Sequence, residues 1–284
     1  MGLFDRCLIA SDVDETLFSN GQLPDNNKEK IEWFVSEGGT FCVSTGRTAG
    51  ALKPVTNRLD CVAPSIVANG AMIYDLKNDS VVYELFVGEQ DKQILLEALN
   101  EFDNIGVEVH SGNRVLTVRR NKETDDHQRH ELLETVVVDA KDCMNLNWTK
   151  VIYFFNSPEE RTAAKEKAFK SRGGCDFFET STMIDGQRRY YYEQLPRGAS
   201  KGTALLKLCE IFNIKSGCCY AIGDYFNDIP MLEAADISAA TAQAPDEVKE
   251  IADVVVCDAE NGAVADFIDY LTKIRREEEN GRKN

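Results

Sequence analysis

The chain has no apolar run long enough to cross a bilayer, no block of basic residues, no Cys-x-x-Cys pair, no internal repeat and no low-complexity stretch. Each absence removes a class of protein. A membrane-spanning helix needs about 20 predominantly apolar residues in succession, so no membrane span is expected. With a formal net charge of −16 and no local basic cluster to offset it, nucleic acid and anionic membrane surfaces are excluded as main partners. An anionic ligand would need positive charge placed locally. The cysteines number nine, an odd count, and Cys218 adjoins Cys219 in an apolar run. Reduced, mostly buried thiols fit that pattern better than a disulfide framework or a zinc site. The opening Met1-Gly2-Leu3-Phe4-Asp5-Arg6 turns hydrophilic too early for a signal peptide, and Arg6 stands where a myristoylation site has Ser or Thr. A cytoplasmic location is the expectation. No residue pattern speaks to oligomeric state.

What is present is a core. A chain of 284 residues with 43% hydrophobic content suffices for one large domain or two modest ones. An apolar strand at Cys7-Leu8-Ile9-Ala10-Ser11 leads into Asp12-Val13-Asp14. A helix over Asn26 to Glu37, stopped by Gly38, precedes a second strand, Thr40 to Ser44. A helix around Thr48 to Arg58 then leads to a short strand, Ser65 to Ala68, ending in Asn69-Gly70. The alternation predicts an α/β fold with a doubly wound, mainly parallel, Rossmann-like sheet, whose ligands bind at the carboxyl ends of the strands.

From Leu85 to Leu195 the pattern changes. Helical stretches at Asp91 to Phe102 and Pro158 to Lys170 mix with strands at Val115 to Arg119, Val151 to Phe155, Asp176 to Ser181 and Tyr190 to Gln194, and Ser111-Gly112-Asn113 suggests a hairpin turn. Residues 85–195 thus read as an inserted α+β domain, and residues 1–84 and 196–284 as the core. Beyond Pro196 the alternation resumes, with a helix from Ser200 to Phe212, a strand at Cys218 to Ile222, a helix from Asn227 to Ala235, strands near Ile237 and at Val254 to Cys257, and a helix from Gly262 to Ile274. The charged ending from Arg275 reads as a fraying helix end.

Four groups of residues carry chemistry. Asp12 and Asp14, so close together, repel each other unless a cation sits between them. With a divalent ion one can attack phosphorus while the other moves a proton; alternatively the pair simply ends a strand and begins a turn. Ser44-Thr45-Gly46-Arg47 offers a hydroxyl, a permissive glycine and the amides of a following helix, which suit an anion, or it is an ordinary turn capped by Thr45 or Thr48. Lys201 sits at a helix start, where a cation opposes the macrodipole. It either neutralises a phosphoryl group or a carboxylate there or is a solvated surface lysine. After the strand ending Ala221-Ile222-Gly223, Asp224 is placed to complete a metal's oxygen shell and Asp228 to reach the ion through water or orient its ligands, or Asn227 and Asp228 cap the next helix.

In this order the four elements resemble the haloacid dehalogenase superfamily, and within it the Cof-like sugar phosphatases with a large α+β cap. Asp12-Val13-Asp14-Glu15-Thr16, Ser44-Thr45-Gly46-Arg47, Gly198-Ala199-Ser200-Lys201-Gly202 and Gly223-Asp224-Tyr225-Phe226-Asn227-Asp228 match its four motifs, and Asn69-Gly70-Ala71 a shorter signature. The resemblance implies that Asp12 is a nucleophile forming an aspartyl-phosphate and that Asp14 is the acid and then the base. It implies Mg2+ held by Asp12, the Asp14 backbone carbonyl and Asp224, with Asp228 supporting Lys201 or the metal shell. Thr45 and Lys201 would grip phosphoryl oxygens; Gly46, Arg47, Asn69 and Asn227 are further candidates for phosphate or substrate contact. The implied activity is hydrolysis of a small phosphorylated metabolite, most naturally a sugar phosphate. A phosphomutase sharing the intermediate, or a weakly active phosphometabolite-binding regulatory module, are the alternatives.

The sequence departs from the family twice: Glu15 stands where glycine is usual, and Ala240-Thr241-Ala242-Gln243-Ala244 replaces a loop that resembles Met-Gly-Asn-Ala in relatives. Lid closure would set specificity. His110, Arg119, Arg188 and Tyr190-Tyr191-Tyr192 are lid candidates, each also readable as strand packing or solvated surface.

Overall fold

The structure is a computed structural model that describes residues 2–59, 62–167, 175–184 and 186–281. The chain begins β1 (Leu8–Ser11), α1 (Asp25–Ser36), β2 (Thr40–Val43), α2 (Ala49–Thr56), β3 (Ser65–Val67), β4 (Met72–Asp75) and β5 (Ser80–Glu84). It continues α3 (Gln93–Glu101), β6 (Gly106–Ser111), β7 (Arg114–Arg119), α4 (Lys122–His130), β8 (Thr135–Val137), α5 (Ala140–Cys143), β9 (Lys150–Phe154), α6 (Pro158–Lys167), β10 (Cys175–Ile184) and β11 (Gln187–Pro196). It ends α7 (Lys201–Ile211), β12 (Cys219–Gly223), α8 (Ile229–Ala234), β13 (Ile237–Thr241), α9 (Asp246–Lys249), β14 (Val254–Val256) and α10 (Ala263–Gly281).

Two compact units result. One comprises Met1–Arg47, Leu52–Tyr83 and Ser200–Asn284; the other Thr48–Ala51 and Glu84–Ala199. Pro196 to Ala199 fall in the second unit because β11 runs on through Pro196, Ala199 turns back to the Pro196 carbonyl, and the Gly198 amide donates to Asp176.

In the first unit five parallel strands lie in the order β14-β13-β12-β1-β2. β1 and β12, at the middle, are buried along their whole length. Parallel strands covered on both faces read as near-continuous apolar runs, as in Leu-Ile-Ala-Ser and Cys-Tyr-Ala-Ile-Gly. Leu205 and Leu208 of α7 and Met231 and Leu232 of α8 pack with Leu8, Ala10, Cys219 and Ala221. α1 and α10 pack on each other, burying Ile31, Phe34, Phe267, Ile268 and Leu271. Asn27 ties this pair together: it donates to the Leu17 carbonyl at 3.0 Å and accepts from the Ala265 amide at 2.9 Å. A helix behind each parallel crossover is the usual way such a sheet buries both faces.

The strand expected from Ser65 lies parallel beside β2, but only through the isolated bridges Phe41 to Val62 and Ser44 to Ile66; its continuous ladder is antiparallel, with β4, in a sheet ordered β3-β4-β5. The chain leaves β3 through a 3-10 turn, Ala68–Gly70, in which Asn69 adopts the left-handed conformation (φ 52°, ψ 33°). The last helix also runs on to Gly281, beyond the Ile274 end expected from apolar periodicity.

The second unit holds a sheet in the order β10-β11-β9-β6-β7-β8, antiparallel except for the β7–β8 pair. The β6–β7 hairpin turns at Gly112 (φ 57°), as Ser111-Gly112-Asn113 suggests. Val107, Val109, Leu116, Val151, Tyr153 and Tyr192 face a core with Ile94, Leu95, Ala98 and Trp148. Intervening residues, among them Glu108, His110, Lys150 and Glu193, point the other way and are nonetheless buried. β10 and β11 are ten residues each, longer than expected, because they pair from Cys175–Pro196 to Ile184–Gln187. α4 has no counterpart in the sequence reading, and residues 168–170, expected to end α6, lie outside the described residues. Among the described residues no helix is long and apolar enough to cross a membrane.

Candidate active site

The neighbouring strands β1 and β12 end side by side, and each is followed by an acid. The Asp12 amide donates to the Ile222 carbonyl at 2.9 Å, pinning Asp12 to the adjoining strand. After β12 the chain must fold back tightly. A Cβ on Gly223 would lie 2.5 Å from Asp228 Cβ and Cγ, so only glycine leaves room for Asp228 to tuck beneath the turn. There Asp228 Oδ2 accepts the amides of Asp224 and Tyr225 at 3.0 and 3.1 Å.

Lys201 arrives from the first turn of α7. Ser200 and Thr203 form a capping box there, each side chain meeting the other's backbone amide. The Lys201 ammonium is buried and donates to Asp12 Oδ1 and Asp228 Oδ1, both at 2.6 Å. Lys201 is therefore not the solvated surface lysine its residue type would suggest. Gly70 (φ 95°) permits a second close approach: a Cβ on it would lie 2.0 Å from the Ser200 carbonyl oxygen. That contact sets Asn69 against the start of α7, where Asn227 donates to its Oδ1 at 3.3 Å.

Thr45 follows β2. Its amide donates to Ile66, its carbonyl accepts the Asn69 amide, and its hydroxyl accepts the Arg47 amide at 3.1 Å. Arg47 grips Asp14 through Nε to Oδ2 at 2.9 Å and Nη2 to Oδ1 at 2.8 Å. This fork is geometrically good, but the Asp14 side chain is 57% exposed, so solvent screens it. Ligand oxygens of Asp12, Asp224 and Asp228 all lie within 4.8 Å of one another; the Asp14 carboxylate is outside this group and faces Arg47.

Burial and mutual repulsion dominate the electrostatics. Burial is the largest cause that lifts Asp12 to about 7; Lys201 pulls it back and Asp228 and Asp14 push it further up. Burial, then Asp12 and Asp228, lift Asp224 to about 9 against the Thr16 hydrogen bond and Lys201. For Lys201 burial alone would favour the neutral amine, but Asp12 and Asp228 outweigh it and raise its pKa. One ammonium does not balance three carboxylates. Three converging carboxylates with one ammonium make an acidic cluster that could hold a divalent cation.

Two residues that the sequence reading names without a role make contacts here. Thr16 is buried and donates to Asp224 Oδ1 at 2.9 Å. Its place two residues beyond the second aspartate was the available signal. Gln243 donates to the Glu15 carbonyl at 2.5 Å, so the two departures from the family pattern touch each other. Glu15 is left-handed (φ 59°), a conformation glycine adopts without strain. Of the lid candidates, Arg119 donates to the Phe102 carbonyl, Tyr191 packs on Phe154 and His127, and Tyr192 bonds Glu179. His110 is buried, Tyr190 lies under the Arg161 guanidinium, and Arg188 is exposed.

Residues 9–268 match the family model of haloacid dehalogenase-like hydrolases, and the chain belongs to that family. Among curated relatives, the 5-amino-6-(5-phospho-D-ribitylamino)uracil phosphatase YwtE of Bacillus subtilis is 28% identical over 289 residues, covering 93% of this chain and 97% of the relative. The pyridoxal phosphate phosphatase YbhA of Escherichia coli is 26% identical over 272 residues, covering 92% and 97%. The fold is shared with a haloacid dehalogenase-like hydrolase from Bacteroides thetaiotaomicron, with a TM-score of 0.80 at 20% identity over 94% of this chain and all of that one.

Proposed function

We propose that this phosphoric monoester hydrolase releases phosphate from a small phosphorylated metabolite, with Mg2+, through a phosphoryl group carried on Asp12. The observation that supports it most is the buried Lys201 ammonium held between Asp12 and Asp228, with Asp224 alongside. Asp12 and Asp224 would hold the cation together with the Asp14 carbonyl. Asp228 would act from behind, since its oxygens already serve Lys201 and the two amides. Bound there, the ion neutralises charge between the attacking carboxylate and the phosphoryl oxygens.

An Asp12 carboxylate oxygen attacks phosphorus, the bond to the ester oxygen breaks, and Asp14 supplies the proton that the departing alkoxide takes up. Asp14 then removes a proton from water as that water attacks phosphorus, which frees inorganic phosphate and regenerates the Asp12 carboxylate. Lys201 and the Thr45 hydroxyl stabilise the phosphoryl oxygens, where charge is spread in the transition state. Arg47 has to release Asp14 before Asp14 can carry a proton, and an incoming anionic ester is the natural exchange partner for its guanidinium. Gly46, Asn69 and Asn227 would line the ester's approach.

The second unit, residues 85–195 in the sequence reading, would act as the cap that controls access. A phosphorylated ribityl compound and pyridoxal phosphate, named for the two relatives, set the scale of substrate expected, and a sugar phosphate is the reading we favour. A phosphate-release screen across such esters, with and without Mg2+, tests this. Release that requires Mg2+ and disappears in Asp12→Asn supports the reading. Isomerised ester without free phosphate would assign a mutase instead, and ligand-induced thermal stabilisation without any turnover would assign a binding module.

A further inference from the structure

α7 and β12 touch at a second chemically active point, far from the acids. Cys209, in the last turns of α7, and Cys219, the first residue of β12, have their sulfurs 3.0 Å apart. A disulfide needs about 2.05 Å, so the sulfurs must close by only about 1 Å. The two residues differ in access: Cys209 is partly exposed, whereas Cys219 is buried. We propose that Cys209 and Cys219 form a thiol–disulfide site that takes oxidising equivalents from low-molecular-weight disulfides.

The Cys209 thiolate attacks one sulfur of the small disulfide RSSR, forming a mixed disulfide and expelling one thiolate. Cys219, as its thiolate, then attacks Cys209 Sγ and expels the second. Two protein thiols and RSSR become one protein disulfide and two RSH, with the thiol protons ending on the released thiols. Electrostatics favours this order. The hydrogen bond to Cys219 lowers the Cys209 thiol pKa against burial and the Asp236 charge, while the same contact and burial raise that of Cys219. The partly exposed Cys209 is thus the better first nucleophile.

Among the described residues the competing thiols are less accessible: Cys42, an electrostatic neighbour of Cys209 and Cys219, is buried, and Cys7 and Cys218 are buried and interact with each other. Cys209 stands eight residues after Lys201, roughly 12 Å along the helix, and Cys219 begins the strand that ends before Asp224. The bond would therefore tie together the two elements that carry Lys201 and Asp224, at the ends remote from the acids. Oxidation should stiffen this part of the sheet and leave the Asp12–Lys201 contact in place. The proposal does not depend on the catalytic reading.

The test uses the whole folded chain and glutathione disulfide. After incubation, alkylation of remaining thiols and tryptic digestion, peptide 208–215 should be found joined to peptide 216–249, with fragment ions assigning the link to Cys219 and not Cys218. The melting temperature should rise by about 3 °C or more and fall back on reduction. In Cys219→Ser, Cys209 should accumulate as the glutathione mixed disulfide, because the resolving thiol is gone. A wild-type chain in which Cys209 stays free, persists as the mixed disulfide or links to Cys42 or Cys218 would overturn the proposal, as would a free Cys209 in Cys219→Ser.

Discussion

Both units bury charge, and they do so to different ends. In the second unit buried carboxylates have their own cations: Lys150 meets Glu193 at 3.1 Å, and Arg189 meets Glu123 at 2.9 Å, while His127 lies 3.1 Å from Glu108. His110 lies beside them with burial, Lys150 and His127 all holding its pKa well below the usual histidine value, so it stays uncharged. In the first unit three carboxylates share a single ammonium, and two of them are pushed far above the ordinary carboxylate range. Buried charge alone therefore does not mark a site. What distinguishes the first cluster is imbalance, with charge left over for a cation and a phosphoryl group to complete.

The sharpest way to break this comparison is to remove the nucleophile. Asp12→Asn keeps the shape and should lower phosphate release by about a thousandfold or more, with an unchanged circular dichroism spectrum; ordinary turnover would end the proposed mechanism. Lys201→Met should follow, since it strands Asp12 and Asp228 without their counter-ion. A loss of roughly 3–5 kcal/mol of stability in denaturant unfolding is expected, and a loss well under 1 kcal/mol would mean that the ammonium does not hold the cluster.

The matched pair of the second unit should behave differently. Lys150→Met strands Glu193 and should cost about 3 kcal/mol, whereas Lys150→Met with Glu193→Leu should recover most of it. The first cluster has no such double replacement that also preserves activity.

Acidity separates the clusters as well. Asp12 and Asp224 have folded pKa values above the unfolded 3.8, so the folded metal-free protein binds more protons than the unfolded one between that value and about 7 to 9. Stability from these groups is then full below about pH 4 and is lost as pH rises through 7 to 9. Mg2+ should restore it, by about 2.7 kcal/mol at a hundredfold excess over its Kd, and the rise in melting temperature it causes should grow from pH 5.5 to pH 9. An increment that does not change with pH would contradict the raised acids. The smallest effect concerns the paired departures. Gln243→Ala should cost about 1 kcal/mol, and less in a Glu15→Gly background, where the left-handed turn no longer needs the brace.

Much of the first unit was legible, because β1, β2 and β12 are short, largely apolar runs, with β1 and β12 each followed by an aspartate. The β4–β5 hairpin was not. Its outer strand exposes Val81 and Val82, so it carries no burial pattern that marks it as a strand. α4 was hidden for a related reason: Lys-Glu-Thr-Asp-Asp-His-Gln-Arg-His has no apolar stripe. Its one clear signal was the cap, Asn121 and Thr124 bonding reciprocally three residues apart. The acids and Lys201 of the candidate site were legible from local motifs. The Arg47–Asp14 fork was not, because it joins loops 33 residues apart that only the β1–β2 pairing brings together.

The most direct measurement is to quench the enzyme in acid during turnover of a hydrolysed ester and map the phosphoryl group by mass spectrometry. The account predicts it on Asp12, and more of it in Asp14→Asn, where the water that clears it lacks its base. A phosphoryl group on another residue, or release of phosphate with none trapped on Asp12 in either protein, would contradict it.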